Sequence, residues 1–395
     1  MNSFKYIDLF CGIGGFHQAM KSLGGECVFA SDIDEDCRKT YKANYGIEPV
    51  GDITAIDAKD IPAHDVLCGG FPCQAFSKAG KRLGFEDPTK GTLFFDILRI
   101  MKYHKPKYAL LENVRNLASH DNGNTWKVIH SSLKEKPVIF SPHYLGIPQH
   151  RERVYIMCVR KDIGDIPPFV FSEKDILPCN IESILQDDKE IENVKHYQLD
   201  KDKQVLINLW DEFIKNIKCQ KLPGFPIWSD RLCDLNPDED LSQYPKWKQN
   251  FILKNNALYI ENRVFIDRWL KKAMKCPLFF GAKAKLEWQA GQTDTPSLWE
   301  NILQFRPSGI RVKPGTYFPA LVAITQTSIV GCRKRELTPR ECARLQSFPD
   351  SFQPDTKEQQ AYKQFGNAVN VECVRLFAQY MFGNPETRLK YQVPE

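Results

Sequence analysis

The chain has 395 residues, 42% of them hydrophobic, with 54 Lys+Arg against 49 Asp+Glu and a net charge of +5. The apolar content suffices for ordinary globular cores and the length fits two domains. No run of about 18 apolar residues occurs, which excludes a membrane-spanning helix, and so mild a net charge does not by itself point to a polyanionic partner.

The start, MNSFKYIDLF, lacks a basic stretch followed by a long apolar one, so no signal peptide and a cytoplasmic location are expected. Residues 4–10 (FKYIDLF) then read as a strand running into glycines, and FHQAMKSLG as a helix. A second strand, ECVFASDID, and a second helix, EDCRKTYKANYG, follow; next come HDVLCGG, a helix around TLFFDILRIMKYH, and the strand KYALLENV. This alternation predicts an α/β domain with a mixed, mostly parallel sheet and helices on both faces. In such sheets ligands sit beyond the carboxyl ends of the strands, and those ends carry the unusual residues here: Asp8 to Gly15, Asp32 to Asp34, Gly69 to Ser77 and Glu112 to Asn116.

From about residue 165 the alternation stops. Six of the seven tryptophans fall between 210 and 299. Residues 171–240 hold 9 Lys+Arg against 16 Asp+Glu, whereas residues 241–330 hold 13 against 5. The basic half could face phosphates, or the two stretches could be solvated surfaces of opposite sign. Near 331 a helical pattern returns in LTPRECARLQ, with Thr338 as the expected N-cap and Pro339 at the first helical position. The expected domains are 1–165, 166–330, and a segment 331–395 that completes the first. The 13 cysteines are scattered, odd in number and without a CxxC pair or zinc-ligand spacing, so neither disulfides nor a metal site is expected.

Four constellations bear on chemistry. The first, Asp8-Leu-Phe10-Cys-Gly12-Ile-Gly14-Gly15-Phe16, puts glycines between a strand and a helix, where a ligand can approach the backbone closely. It is not GxGxxG and no P-loop lysine follows, so a nucleoside cofactor fits better than a phosphate; Asp32, about 20 residues on, stands where an acid commonly binds ribose. A plain tight turn is the alternative. The second, Gly69-Gly70-Phe71-Pro72-Cys73-Gln74-Ala75-Phe76-Ser77, holds a cysteine at a strand end; to attack, it must be a thiolate, and otherwise it is a small buried hydrophobe. The third, Glu112-Asn113-Val114, ends an apolar strand, and its carboxylate can hold or supply a proton, a helix N-terminal acid being the alternative. The fourth, Gln149-His150-Arg151-Glu152-Arg153, precedes the strand VYIMCV; two arginines at i, i+2 on a strand share a face and would pair with Glu112 or a phosphate, a surface ion pair being the alternative.

DLFCGIGGF, GGFPCQAFS, ENVRNL, QHRERVYI, RELTPRECARLQSFPD and QFGNAVN occur in this order. Together they resemble the DNA (cytosine-5)-methyltransferases, in particular the compact bacterial type II restriction–modification enzymes, over about 1–165 and 331–395. The resemblance implies a Rossmann-like S-adenosylmethionine-dependent methyltransferase fold with a smaller target-recognition domain, and double-stranded DNA, lying between the two, as substrate. It implies that Cys73 attacks carbon 6 of a flipped cytosine and that Glu112 contacts ring nitrogen N3, with Arg153 beside them and Arg151 in support. Phe10, Gly12, Gly14, Asp32, Ile33, Asp52, Pro72 and Asn367 fall at positions resembling the S-adenosylmethionine pocket. Gln74 to Phe85 resembles a loop that closes over DNA, with Gln74 and Ser77 as DNA contacts. The segment SSLKEKPVIFSPHYL is shorter than usual, so a strand there is expected to be truncated or rerouted, and the usual Thr-Leu pair closing the recognition region is replaced by Ala320-Leu321.

In the basic half, Arg306 and Arg311 suit bidentate contacts to guanine and Lys313 suits a phosphate. Tryptophans 228, 247, 269, 288 and 299 read as core residues. KLEWQA and FRPSGIR with ITQTSIVG resemble enzymes that methylate the cytosine of AGCT. A monomer is expected, with any cognate restriction endonuclease acting separately. Two rivals are a tRNA cytosine methyltransferase, which would not need a recognition region of this size, and a non-catalytic DNA-binding relative, which would be expected to have lost Cys73, Glu112 or the glycines.

Overall fold

The computed structural model describes residues 3–71, 92–118, 124–133, 137–323 and 327–391. They form two compact units: the first is Met1–Cys179, Ala320–Thr325 and Pro339–Glu395, the second Asn180–Pro319 and Gln326–Thr338.

In the first unit the chain runs β1 (Phe4–Leu9), α1 (Gly15–Ser22), β2 (Gly25–Ser31), α2 (Glu35–Tyr45), β3 (Val66–Gly69), α3 (Thr92–His104), β4 (Tyr108–Val114), α4 (Asn124–Leu133), β5 (Val138–Phe140), β6 (Gln149–His150) and β7 (Arg153–Val159). Among the described residues, six strands join in the order β2-β1-β3-β4-β7-β5. The first four are parallel, and β7 runs antiparallel to both β4 and β5. The shortened segment before Gln149 thus still yields a strand, three residues long and at the sheet edge.

Strand alternation sorts the two faces. Ile7, Leu9, Leu67, Leu111, Val154 and Ile156 share a core with Ile97 and Ile100 of α3. Their neighbours point the other way: the Tyr6 hydroxyl donates to the His17 carbonyl of α1 at 3.5 Å, and Tyr155 stacks on Phe377 of α10 (Val371–Met381) with ring centroids 4.4 Å apart. Helices therefore cover both faces, and α10 comes from the returning C-terminal segment, with α8 (Pro339–Leu345), α9 (Glu358–Asn367) and α11 (Pro385–Tyr391). Helix starts follow capping chemistry: the Asp34 side chain accepts from the Asp36 and Cys37 amides at α2, and that of Asn370 from the Cys373 amide at α10.

The second unit contains α5 (Val194–Tyr197), α6 (Lys201–Asn216), β8 (Ile227–Trp228), α7 (Lys246–Ala273), β9 (Lys285–Trp288), β10 (Ile302–Arg306), β11 (Gly309–Lys313), β12 (Phe318–Pro319), β13 (Ile329–Val330) and β14 (Arg335–Glu336). Among the described residues its sheet is ordered β14-β13-β10-β11-β9-β8. Trp210, Phe213 and Trp269 from α6 and α7 build its core with Leu286, Trp288, Leu303 and Val312. Tryptophans 269 and 288 are core, as the sequence suggested, and 228 and 299 are half-buried; Trp247 departs from the expectation, at 58% exposed. Helix α7 bends at Asn262, whose backbone leaves the helical region (φ −124°, ψ 19°) and whose side chain accepts from the Lys218 amide at 2.6 Å and donates to its carbonyl at 3.0 Å.

Candidate active site

Beyond the ends of β1, β2, β3 and β4 in the first unit lies a cavity of about 520 Å³. One end is built by the glycine turn. Phe10, Gly12 and Gly14 have φ of 55°, 53° and 86°, a left-handed path that lets the chain double back before α1. The Gly12 amide donates to Asp32 Oδ2 at 2.7 Å and the Asp34 amide to Asp32 Oδ1 at 2.8 Å, so one carboxylate clamps the turns after β1 and β2 together. Burial pushes the Asp32 carboxyl up, and these two amides pull it back. Gly12 faces open space, whereas a side chain at Gly14 would lie 2.3 Å from the Tyr45 ring. Gly12 is therefore part of the cavity wall. Gly14 is not among the lining residues; it lets the helix pack.

Phe10, Asp32, Ile33, Asp52 and Asn367 all line this cavity with Gly12. Ile33 is 76% exposed, a bare apolar surface at the cavity edge. Asp52 accepts from the Thr54 amide at 2.9 Å and its hydroxyl at 2.8 Å. Ser31 Oγ, buried and without a partner among the described residues, lines the same space.

The other end holds Glu112, buried on β4, with Arg153 Nε 3.1 Å from its Oε1. Antiparallel register sets Val114 opposite Arg153 and Glu112 opposite Tyr155, which brings Glu112 and Arg153 onto one face at the strand ends. Burial pushes the Glu112 carboxyl up, and Arg153 and then Arg151 pull it back. Gly70 leaves room beside this acid: a side chain there would meet Glu112 Oε2 at 3.8 Å. Asn113 Nδ2 donates to the Phe71 carbonyl at 2.9 Å. The next residues, Pro72, Cys73, Gln74 and Ser77, lie outside the described residues, as does the rest of the stretch to Phe85.

Arg151 corrects one expectation. It precedes strand β7 rather than sharing it with Arg153, and it does not pair with Glu112. It is buried, and its guanidinium donates to the carbonyls of Leu321, Gly366 and Ala368 at 2.9, 3.0 and 3.0 Å. Burial, then the Arg153 charge, pushes it down to about 9.

A family model, C-5 cytosine-specific DNA methylase, matches residues 4–382. The chain belongs to that family. It is a DNA (cytosine-5)-methyltransferase, and S-adenosylmethionine is its methyl donor. It is 34% identical to the type II methyltransferase M.AluI of Cellulosimicrobium cellulans, an alignment covering 94% of this chain and 90% of that one. It is 33% identical to M.HhaI of Haemophilus parahaemolyticus, over 96% and 94%. The Entamoeba histolytica methyltransferase EhMeth has a similar fold, with a TM-score of 0.56 over 97% of this chain and 99% of that one at 17% identity.

The cavity of this methyltransferase suits an adenosine-bearing ligand: an open glycine, an orphaned buried hydroxyl, a carboxylate and an exposed apolar wall converge on it. Sequence reasoning did not single out Ser31, Lys363 or Gln364 as lining residues. The last two sit in the run that ends in Asn367, so proximity to that motif was the available signal. Lys363 Nζ meets Asp34 Oδ2 at 3.0 Å, joining α9 to the start of α2. Among the described residues no group of acidic, His or Cys side chains could hold a metal ion, and no helix is long and apolar enough to cross a membrane.

Proposed function

We propose that this methyltransferase modifies the cytosine of a short duplex sequence, AGCT, through base flipping and a covalent bond from Cys73. One observation carries the reading: Glu112 with Arg153, and the Gly12 turn with Asp32 and Ile33, line a single cavity. Phe10, Gly12, Asp32, Ile33, Asp52, Asn367 and, from the motif, Pro72 hold S-adenosylmethionine, with Gly14 shaping the turn. When bound, that molecule supplies an electrophilic methyl group. Cys73, as thiolate, adds to carbon 6, and the electron pair of the 5,6 double bond moves toward N3, where Glu112 supplies or stabilises the proton. Burial favours the protonated carboxyl this needs, while Arg153 fixes its orientation. Carbon 5 thereby becomes nucleophilic enough to attack that methyl group, the S–CH3 bond breaks, and S-adenosylhomocysteine is left as product. Loss of the carbon 5 proton and of the thiolate then restores the ring.

Carbon 6 is hidden inside a stacked duplex, so the base must leave the stack, at a cost of a few kcal/mol. The second unit is read as the recognition domain, with Arg306 and Lys313 toward DNA, Arg311 on the same face held by Glu287, and Gln74 and Ser77 as further contacts. AGCT rests on the likeness of KLEWQA and FRPSGIR–ITQTSIVG to enzymes with that target. The type II names of the relatives support a restriction–modification setting; a separate endonuclease, a monomeric enzyme and a cytoplasmic location are part of the same proposal.

Bisulfite sequencing of plasmid DNA from cells expressing the chain tests this. Protected cytosines confined to AGCT are expected, and none with Cys73→Ala while DNA binding is retained. Protection at another palindrome removes the target assignment; undiminished transfer by Cys73→Ala removes the covalent step. No protected cytosine in DNA, together with transfer to RNA by the purified protein, overturns the substrate.

A further inference from the structure

In the second unit, side chains of β9, β10 and β11 alternate between two environments. Leu286, Trp288, Leu303, Phe305, Ile310 and Val312 belong to the core. Glu287, Gln304, Arg306, Arg311 and Lys313 therefore leave from the opposite face. Register sets Arg311 between Glu287 on β9 and Gln304 on β10. Arg311 Nε and Nη2 both donate to Glu287 Oε2, at 2.8 and 2.7 Å, and the two side chains are only 21% and 11% exposed. Sheltered pairs of this kind are screened little by salt.

Arg306 stands in contrast. It is exposed and has no hydrogen-bond or ion-pair partner among the described residues. The residue opposite it in the register is Gly309, with φ of 146° and a Cβ position 3.0 Å from the Lys285 carbonyl. That backbone path admits no ordinary side chain, so nothing on β11 crowds Arg306. Four cations, Arg306, Arg311, Lys313 and Lys285 of β9, whose ammonium lies over the Trp228 ring, thus share the face with one carboxylate. Arg306 and Lys313 are each pushed down by partial desolvation and then by the charge of Arg311. The surplus positive charge suits a polyanion, yet one of the two guanidiniums is already occupied.

We infer that Glu287 is a specificity-determining residue. It withholds Arg311 from phosphate, and so leaves Arg306 as the guanidinium of this face that meets a guanine edge. A carboxylate that merely lowered the positive charge would not need two bonds to one particular arginine. Tying Arg311 down removes a mobile cation that would otherwise grip any sequence alike, because phosphate contacts carry affinity without base information. This inference rests on the reading of the second unit as the recognition domain.

The test uses the full chain and a library of duplexes randomised around a central cytosine, with methylation read by bisulfite sequencing. Binding to a non-cognate duplex is measured across a salt series. Glu287→Gln is expected to bind the non-cognate duplex roughly tenfold more tightly, with a salt slope steeper by about one phosphate contact. Its methylated sequences should also be less selective. Glu287→Gln combined with Arg311→Gln should return both properties to wild type. Arg306→Gln should lose roughly 10- to 100-fold in methylation of the preferred site and relax one G·C position. Because the first result is a gain of affinity, an unfolded variant cannot mimic it. Unchanged or weaker non-cognate binding by Glu287→Gln overturns the inference, as does a loss spread evenly across the library for Arg306→Gln. If the wild-type chain methylates no duplex in the library, it is the DNA-recognition reading itself that fails.

Discussion

Arg151 brackets Asn367: its Nη2 donates to the carbonyls on either side, those of Gly366 and Ala368, each at 3.0 Å. These carbonyls lie at the end of α9, where backbone acceptors lack helical partners and the helix dipole favours a cation. The same guanidinium holds Leu321, so one side chain ties two distant segments to its own. Lysine keeps the charge but cannot span three acceptors. Arg151→Lys is expected to cost about 2–4 kcal/mol of stability, the sum of two buried carbonyls left unmade. It should weaken S-adenosylmethionine binding more than it slows turnover. Thermal melts and cofactor titration check this; an unchanged dissociation constant would show that Asn367 does not depend on the bracket.

Glu112→Gln keeps the shape of the side chain and its place beside Arg153 while removing the transferable proton. A drop in kcat of about 10²- to 10⁴-fold is expected, with S-adenosylmethionine affinity within about twofold of wild type. Single-turnover methylation and equilibrium titration separate the two. A variant of normal rate would remove Glu112 from the proposed chemistry.

The glycine turn offers a paired contrast. Gly12 and Gly14 both have positive φ, so alanine strains each by about 1–2 kcal/mol. Only at Gly14 does the new Cβ also strike Tyr45, at 2.3 Å. Gly14→Ala should therefore lower the melting temperature much further than Gly12→Ala. Gly12→Ala should keep its fold and lose cofactor affinity, since its methyl enters the open cavity. Equal losses of stability would mean that the space beside Gly12 is not the binding surface.

Asp8 is fully buried beneath this turn, and neither carboxylate oxygen has a well-formed hydrogen bond among the described residues, the His17 backbone and the Tyr41 hydroxyl approaching it only weakly. Burial, then the charge of Asp32, pushes its carboxyl well above the usual range, while the His17 backbone and Tyr41 offset this only in part. The folded state thus keeps a proton that the unfolded state releases above about pH 4. The contribution is favourable below that pH and is lost as pH rises through the window up to the raised folded value. An asparagine side chain carries no such proton, so Asp8→Asn should gain on wild type by up to about 1.4 kcal/mol per pH unit within the window. Melting curves at pH 5, 7 and 9 should diverge in favour of the variant. Parallel curves would mean that Asp8 is charged in the fold.

Much of the first unit was legible because its code is local. The strands around Asp8, Cys68 and Leu110 are short apolar runs, the helices between them carry their own caps, and parallel sheets place ligands beyond strand ends. The glycine turn, Asp32 and Glu112 could be picked out because each interrupts such a run at its end. What the sequence could not supply was any relationship set by distant packing. Arg151 and Arg153 look equivalent as i, i+2 neighbours, yet Arg153 meets Glu112 across an antiparallel strand pair while Arg151 turns to carbonyls about 170 and 215 residues away. Arg306 and Arg311 look equally available, yet the register of β9 beside β11 gives Arg311 a carboxylate and Arg306 none. Residue type and spacing determined which chemistry this chain carries. Tertiary structure decided which charges are free to perform it, because a charge is spent or spared by what packs against it, and that partner comes from anywhere in the chain.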